Sequence, residues 1–172
     1  LRGLADLGLD ITRLVLNDVG PVITGESLRR IGEYLGTDPT WASFAEAEAY
    51  IRLISAPFGP LTDAQWRHMT ETSVRQRPDG RWGFIYDPAI AAPFKAAFAA
   101  TDIDLWPMYE LVSCPTLAVR GAESDLLRRE TWLQMAERGP RAKLAEIPGV
   151  GHAPMFMSDD QVAVVRDFLL AP

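Results

Sequence analysis

The chain has 172 residues, 48% hydrophobic and 23% charged, a composition that can bury one sizeable core and excludes a disordered chain. Its 17 basic and 23 acidic side chains leave a net charge of −6, and with no basic cluster this argues against a nucleic acid or an anionic membrane as partner. The most apolar stretch, Ala89 to Ala100, is broken by Pro93 and Lys95 and cannot span a bilayer, and the single cysteine, Cys114, forms no internal disulfide and fits a reducing, cytoplasmic compartment.

The opening, Leu1 to Leu7, reads as helix with no capping residue ahead of it and no secretory leader, which predicts a chain cut from a longer one. Thr12 to Asn17 is the first strand: Leu14-Val15-Leu16 is a continuous apolar run, closed by the turn Asn17-Asp18-Val19-Gly20-Pro21. Such a run, bounded by turn residues, suits a strand buried on both faces of a parallel sheet. The middle of the chain differs. Helices are predicted over Glu26 to Leu35, Phe44 to Ile54 and Asp63 to Arg75, the last with Thr62 as N-cap. A turn at residues 76 to 81 and a short extended piece, Trp82 to Tyr86, follow.

Two more apolar runs of the first kind come later, Thr116 to Val119 and Lys143 to Ile147, with a helix over Arg128 to Arg138 between them that stops at Gly139-Pro140. The order strand, helix, strand predicts a right-handed parallel crossover. Ser158 to Gln161 has the form of a capping box opening a last helix, whose Val162, Val165, Phe168 and Leu169 form an apolar stripe.

Chemistry concentrates where these strands stop. The third run ends in Ile147-Pro148-Gly149-Val150-Gly151-His152-Ala153-Pro154, a glycine-rich turn presenting one histidine, and the second in Arg120-Gly121-Ala122-Glu123-Ser124-Asp125. A neutral imidazole takes a proton from a hydroxyl near pH 7, and a carboxylate on its other nitrogen holds the tautomer and stabilises the imidazolium. His152 is therefore the candidate base and Asp125 its candidate acid. Glu123, in the same turn, and Asp18, at the end of the first strand, are rivals for the acid. The nearest approach to a nucleophile motif, Gly25-Glu26-Ser27-Leu28-Arg29, lacks its final glycine, so Ser27 reads as part of a helix start.

The order Leu14-Val15-Leu16-Asn17-Asp18, helical insertion, Pro115 to Gly121 with Ser124-Asp125, then Gly149-Val150-Gly151-His152 resembles the C-terminal part of an α/β-hydrolase with a cap domain. The resemblance implies an α/β fold: the last three parallel strands of the hydrolase sheet with flanking helices (residues 1–21 and 107–172) and a mostly helical cap inserted between them (residues 22–106). It maps the histidine onto His152 and the acid onto Asp125, with Asp18 where some relatives carry it. The nucleophile and the oxyanion-hole amides would lie upstream of Leu1. The implied activity is hydrolysis of an ester or related carbonyl compound by a Ser-His-Asp mechanism. The alternatives are an epoxide hydrolase or dehalogenase with an aspartate nucleophile, and a non-catalytic or truncated binding module.

Trp82, Phe84, Tyr86 and Trp106, near the ends of the insertion, are candidates to line an apolar pocket for a small hydrophobic substrate. With two histidines, neither at ligand spacing from a carboxylate or cysteine, no metal is expected, and no phosphate-loop or dinucleotide glycine pattern calls for a cofactor. A first strand left without its neighbour exposes unpaired backbone groups beside apolar surface. The expected partner of residues 1–172 is therefore the missing N-terminal half of the core, without which no stable, active monomer is expected.

Overall fold

The computed structural model describes residues 10–92 and 101–171; the helix expected over the first residues lies outside them. The chain forms two compact units, Leu1–Thr24 with Asp102–Pro172, and Gly25–Thr101.

The first unit is built on three parallel strands, β1 (Leu14–Asn17), β7 (Thr116–Gly121) and β8 (Lys143–Ile147), in the spatial order β1-β7-β8. Leu16 stands opposite Ala118 and Ala118 opposite Leu144, so these three share one face. That face is covered by Trp132 and Met135 of helix α5 (Arg129–Met135), with Leu127, Trp106 and Tyr109 beside them. The other face, Val15, Leu117, Val119, Ala145 and Ile147, packs Val150 and Phe168, the latter from helix α6 (Asp159–Leu169). β7, central and covered on both sides, is buried along its whole length, which is why its sequence is an unbroken apolar run up to Val119 rather than an alternation. Met135 and Val119 are fully buried, each contributing about 1.5–3 kcal/mol by leaving water.

The second unit contains α1 (Gly25–Tyr34), α2 (Phe44–Ile54) and α3 (Asp63–Ser73) beside a small antiparallel sheet, β3 (Thr40–Trp41), β5 (Trp82–Phe84) and β4 (Val74–Gln76), in the order β3-β5-β4. The Thr62 hydroxyl accepts from the Gln65 N–H at 3.3 Å while the Gln65 side chain accepts from the Thr62 N–H at 2.8 Å, a complete capping box. Trp41, Tyr50 and Phe84 cluster with ring centroids 5.1 to 6.3 Å apart.

Several boundaries differ from the sequence expectation. α3 stops at Ser73 rather than Arg75, because Val74 leaves the helix to pair with Phe84 across β4 and β5. α5 is shorter than expected at both ends. Ser158 caps α6 without a side-chain bond, the Gln161 side chain accepting from the Phe156 N–H instead. Val22 and Ile23 (β2) pair with Asp104 and Ile103 (β6), and this antiparallel ribbon, with α4 (Trp106–Tyr109), belongs to the first unit. The second unit thus runs over Gly25–Thr101, where the expectation placed a cap over residues 22–106.

Candidate active site

The site is assembled where β1, β7 and β8 end. β1 continues one residue past its last ladder position, the Asp18 N–H donating to Val119 O at 2.8 Å. Asp18 then takes a φ of 55°, a left-handed conformation that aspartate tolerates better than most residues. Its fully buried carboxylate turns toward the end of β7: Oδ1 accepts from the Gly121 N–H at 2.9 Å and Oδ2 from the Ser124 hydroxyl at 2.6 Å.

The third partner of that carboxylate is His152. Its Nδ1 lies 2.7 Å from Asp18 Oδ2, and about a third of the side chain is exposed (31%). The turn that carries it is docked against β7 by backbone bonds, Ala122 N–H to Ile147 O and Glu123 N–H to Val150 O, both 2.9 Å. Gly149 takes a φ of 68°, which a residue with Cβ adopts only with strain. A Cβ at Gly121 would meet the carbonyl oxygens of Val150 and Gly151, so the close approach of the two turns requires glycine there. From the other side, Asn17 Nδ2 donates to Pro154 O at 3.0 Å, tying the chain just after the histidine to β1.

Asp18, not Asp125, is the carboxylate joined to the histidine. Asp125 is exposed, as is Glu123, while the residue between them, Ser124, is buried and points its hydroxyl at Asp18. The turn after β7 therefore supplies a donor to the acid. Arg120 holds this turn from within, its buried guanidinium donating to Leu127 O (2.8 Å), Ala122 O (3.0 Å), Ser124 O (3.0 Å) and the Glu146 carboxylate (2.8 Å). Ser124 and Arg120 were not among the sequence candidates; a serine one residue before an acidic one in a strand-end turn carries no distinguishing signal. With two donors already on the Asp18 carboxylate, the geometry favours it as an acceptor toward Nδ1 of the ring. An imidazole held in this way can act as a base.

Known proteins share this fold. The sequence is 41% identical over 181 aligned residues to the 3-hydroxybutyrate-oligomer hydrolase of Cupriavidus necator, covering 98% of this chain and 62% of that one. The structure matches an α/β hydrolase from Novosphingobium aromaticivorans with a TM-score of 0.83 at 33% identity, over 98% of this chain and 60% of that one. The chain shares the α/β-hydrolase fold of this neighbour over the part they have in common. A protein of Rickettsia typhi matches with the same TM-score, 0.83, at 29% identity, over 92% of this chain and 53% of its own. The chain thus spans between about half and three fifths of the length of these relatives. No family model matches the sequence.

The four aromatic residues expected to line a pocket fall in different places. Trp106 is buried in the core of the first unit, edge-on to Tyr109 and with the Arg138 guanidinium 3.8 Å from its ring centroid. In the second unit Trp82 packs edge-on to Phe44. Phe84 and Tyr86 line an open cavity of about 670 Å³, together with Arg75, Arg77 and Asp38. Arg77 pairs with Asp38, which holds that carboxyl below the usual range. Among the described residues no group of three or more histidine, cysteine, aspartate or glutamate side chains is placed to hold a metal ion, and no helix is long and apolar enough to cross a membrane.

Proposed function

We propose that the protein to which this chain belongs hydrolyses an ester by a Ser-His-Asp mechanism in which His152 is the general base and Asp18 the acid that orients it. The observation that carries this reading is the 2.7 Å contact of His152 Nδ1 with the fully buried Asp18 carboxylate. His152 Nε2 takes the proton of a serine hydroxyl as its oxygen attacks the ester carbonyl carbon, and returns it to the departing alkoxide. It then takes a proton from the water whose oxygen attacks the acyl-serine carbon, and returns it to the serine oxygen as that bond breaks and the acid leaves. The serine and the amides that stabilise the tetrahedral oxyanion come, in this reading, from a segment of the longer protein outside residues 1–172. Leu14–Asn17 supports it: this apolar strand is only half-buried at the edge of the sheet, and a further strand would cover it. Residues Gly25–Thr101 form the cap insertion, with Phe84 and Tyr86 its candidates for substrate binding. The single cysteine supports a cytoplasmic setting.

The name of the Cupriavidus necator relative suggests the substrate class: short oligomers of a hydroxy acid joined by ester bonds. The test is to assay the full-length protein on a 3-hydroxybutyrate dimer and on p-nitrophenyl butyrate, beside His152→Ala. Turnover is expected in the wild type, with a loss of about 10³-fold or more in the variant at unchanged folding. A folded wild-type protein inert to both esters would overturn the proposal.

A further inference from the structure

We propose that Ser124 is a positioning residue for catalysis, a second donor that fixes Asp18 as the acceptor for His152; this rests on the reading of Asp18 and His152 as a catalytic pair. Ser124 is 7% exposed, and its hydroxyl has three neighbours. It accepts from the Leu127 N–H at 3.1 Å and from the Leu126 N–H at 3.3 Å. A hydroxyl has two acceptor sites and one proton. With both acceptor sites taken by backbone N–H groups, which cannot reverse, the proton has one remaining direction, toward Asp18 Oδ2 at 2.6 Å.

The consequence passes to the ring. Oδ2 is the oxygen that also meets His152 Nδ1, and Oδ1 is occupied by the Gly121 N–H. The carboxylate therefore faces donors on both oxygens, and its remaining partner, the imidazole, must also donate. That arrangement selects the tautomer with hydrogen on Nδ1 and leaves Nε2 free to accept. Arg120 keeps the serine in place by holding the carbonyls of Ala122, Ser124 and Leu127 around one guanidinium. The turn after β7 thus acts on the reaction through Asp18, which follows β1, while its own carboxylates, Glu123 and Asp125, stay exposed.

The test uses the full-length protein with p-nitrophenyl butyrate as substrate. It compares Ser124→Ala, Ser124→Thr, Ser124→Cys and Asp18→Asn by kcat, by KM and by the downfield proton resonance of the Nδ1–H shared by His152 and Asp18. Ser124→Ala is expected to lower kcat about tenfold, the effect of losing one hydrogen bond to a charged group, with KM changed less than about twofold. Its Nδ1–H resonance is expected to move, and Ser124→Thr, which keeps the hydroxyl, is expected to restore both readouts. Wild-type kcat with an unmoved resonance in Ser124→Ala would overturn the inference. If the alanine variant does not fold, Thr and Cys decide: threonine near wild type with cysteine reduced supports it, and equal activity in the two overturns it. Asp18→Asn separates the two levels. An inactive Asp18→Asn beside an unaffected Ser124→Ala removes only the role of Ser124, whereas a fully active Asp18→Asn removes the catalytic pair and this inference with it.

Discussion

Gly121→Ala is the perturbation that most directly probes how the site is held together. The added Cβ would fall against two carbonyl oxygens, those of Val150 and Gly151, and 2.9 Å from the carbonyl carbon of Val150. These are backbone atoms with no rotamer to escape into, so the histidine turn must retreat from β7 by roughly 1 Å to recover ordinary contact. The bonds at risk are those that dock it, Ala122 N–H to Ile147 O and Glu123 N–H to Val150 O. Weakening two hydrogen bonds at about 1 kcal/mol each, with overpacking of about 1–3 kcal/mol, predicts a loss of about 3 kcal/mol. For a domain of this size that is a fall in Tm of about 6–12 °C. The same retreat pulls His152 from Asp18, and a misplacement of about 1 Å costs on the order of 10²-fold in kcat. Calorimetry and ester turnover on the full-length protein read both effects. A Gly121→Ala protein with wild-type Tm and kcat would refute the close approach of the two turns.

Other predictions concern the supports of the site. Arg120→Met removes the guanidinium that serves three carbonyls and Glu146 and is expected to cost about 3–5 kcal/mol in urea unfolding, because buried acceptors lose their partner. Arg120→Lys should recover little of it, since an ammonium lacks the planar fork. Tyr109 donates its hydroxyl to Met135 O at 2.7 Å, and burial pushes its pKa up, with a smaller opposing effect from the Ala142 backbone. The unfolded chain therefore releases this proton first as pH rises. Stability from this group is complete below about pH 10, the ordinary tyrosine value, and is lost as pH climbs through the raised value. Tyr109→Phe should flatten that alkaline decline and cost about 1 kcal/mol at neutral pH, measured by urea midpoints across the range.

The parts of the fold legible in the sequence were those with strong local signals. Three apolar runs closed by turn residues are β1, β7 and β8, and the helix expected over Phe44 to Ile54 has those ends in the structure. Short strands of the second unit escaped, because two or three residues carry no periodicity; Val74 was absorbed into the preceding helix although it pairs with Phe84. The Ser158 capping box had the right letters, but the Gln161 side chain is drawn to the Phe156 N–H. In the site, His152 stood out by its glycine turn. The choice between Asp18 and Asp125 depended on tertiary geometry. Both end a strand in a turn, and what separates them is the left-handed φ at Asp18, which carries its carboxylate beneath the histidine, and the burial of Ser124 in place of Asp125. Neither is written in local residue pattern.

Whether Asp18 or Asp125 serves as the acid is decided by kcat for ester hydrolysis in full-length Asp18→Asn and Asp125→Asn proteins whose folding is checked by melting. A loss of about 10³-fold or more is expected in Asp18→Asn, and a change of less than about tenfold in Asp125→Asn. The reverse pattern, with Asp125→Asn inactive and Asp18→Asn near wild type, would contradict Asp18 as the acid.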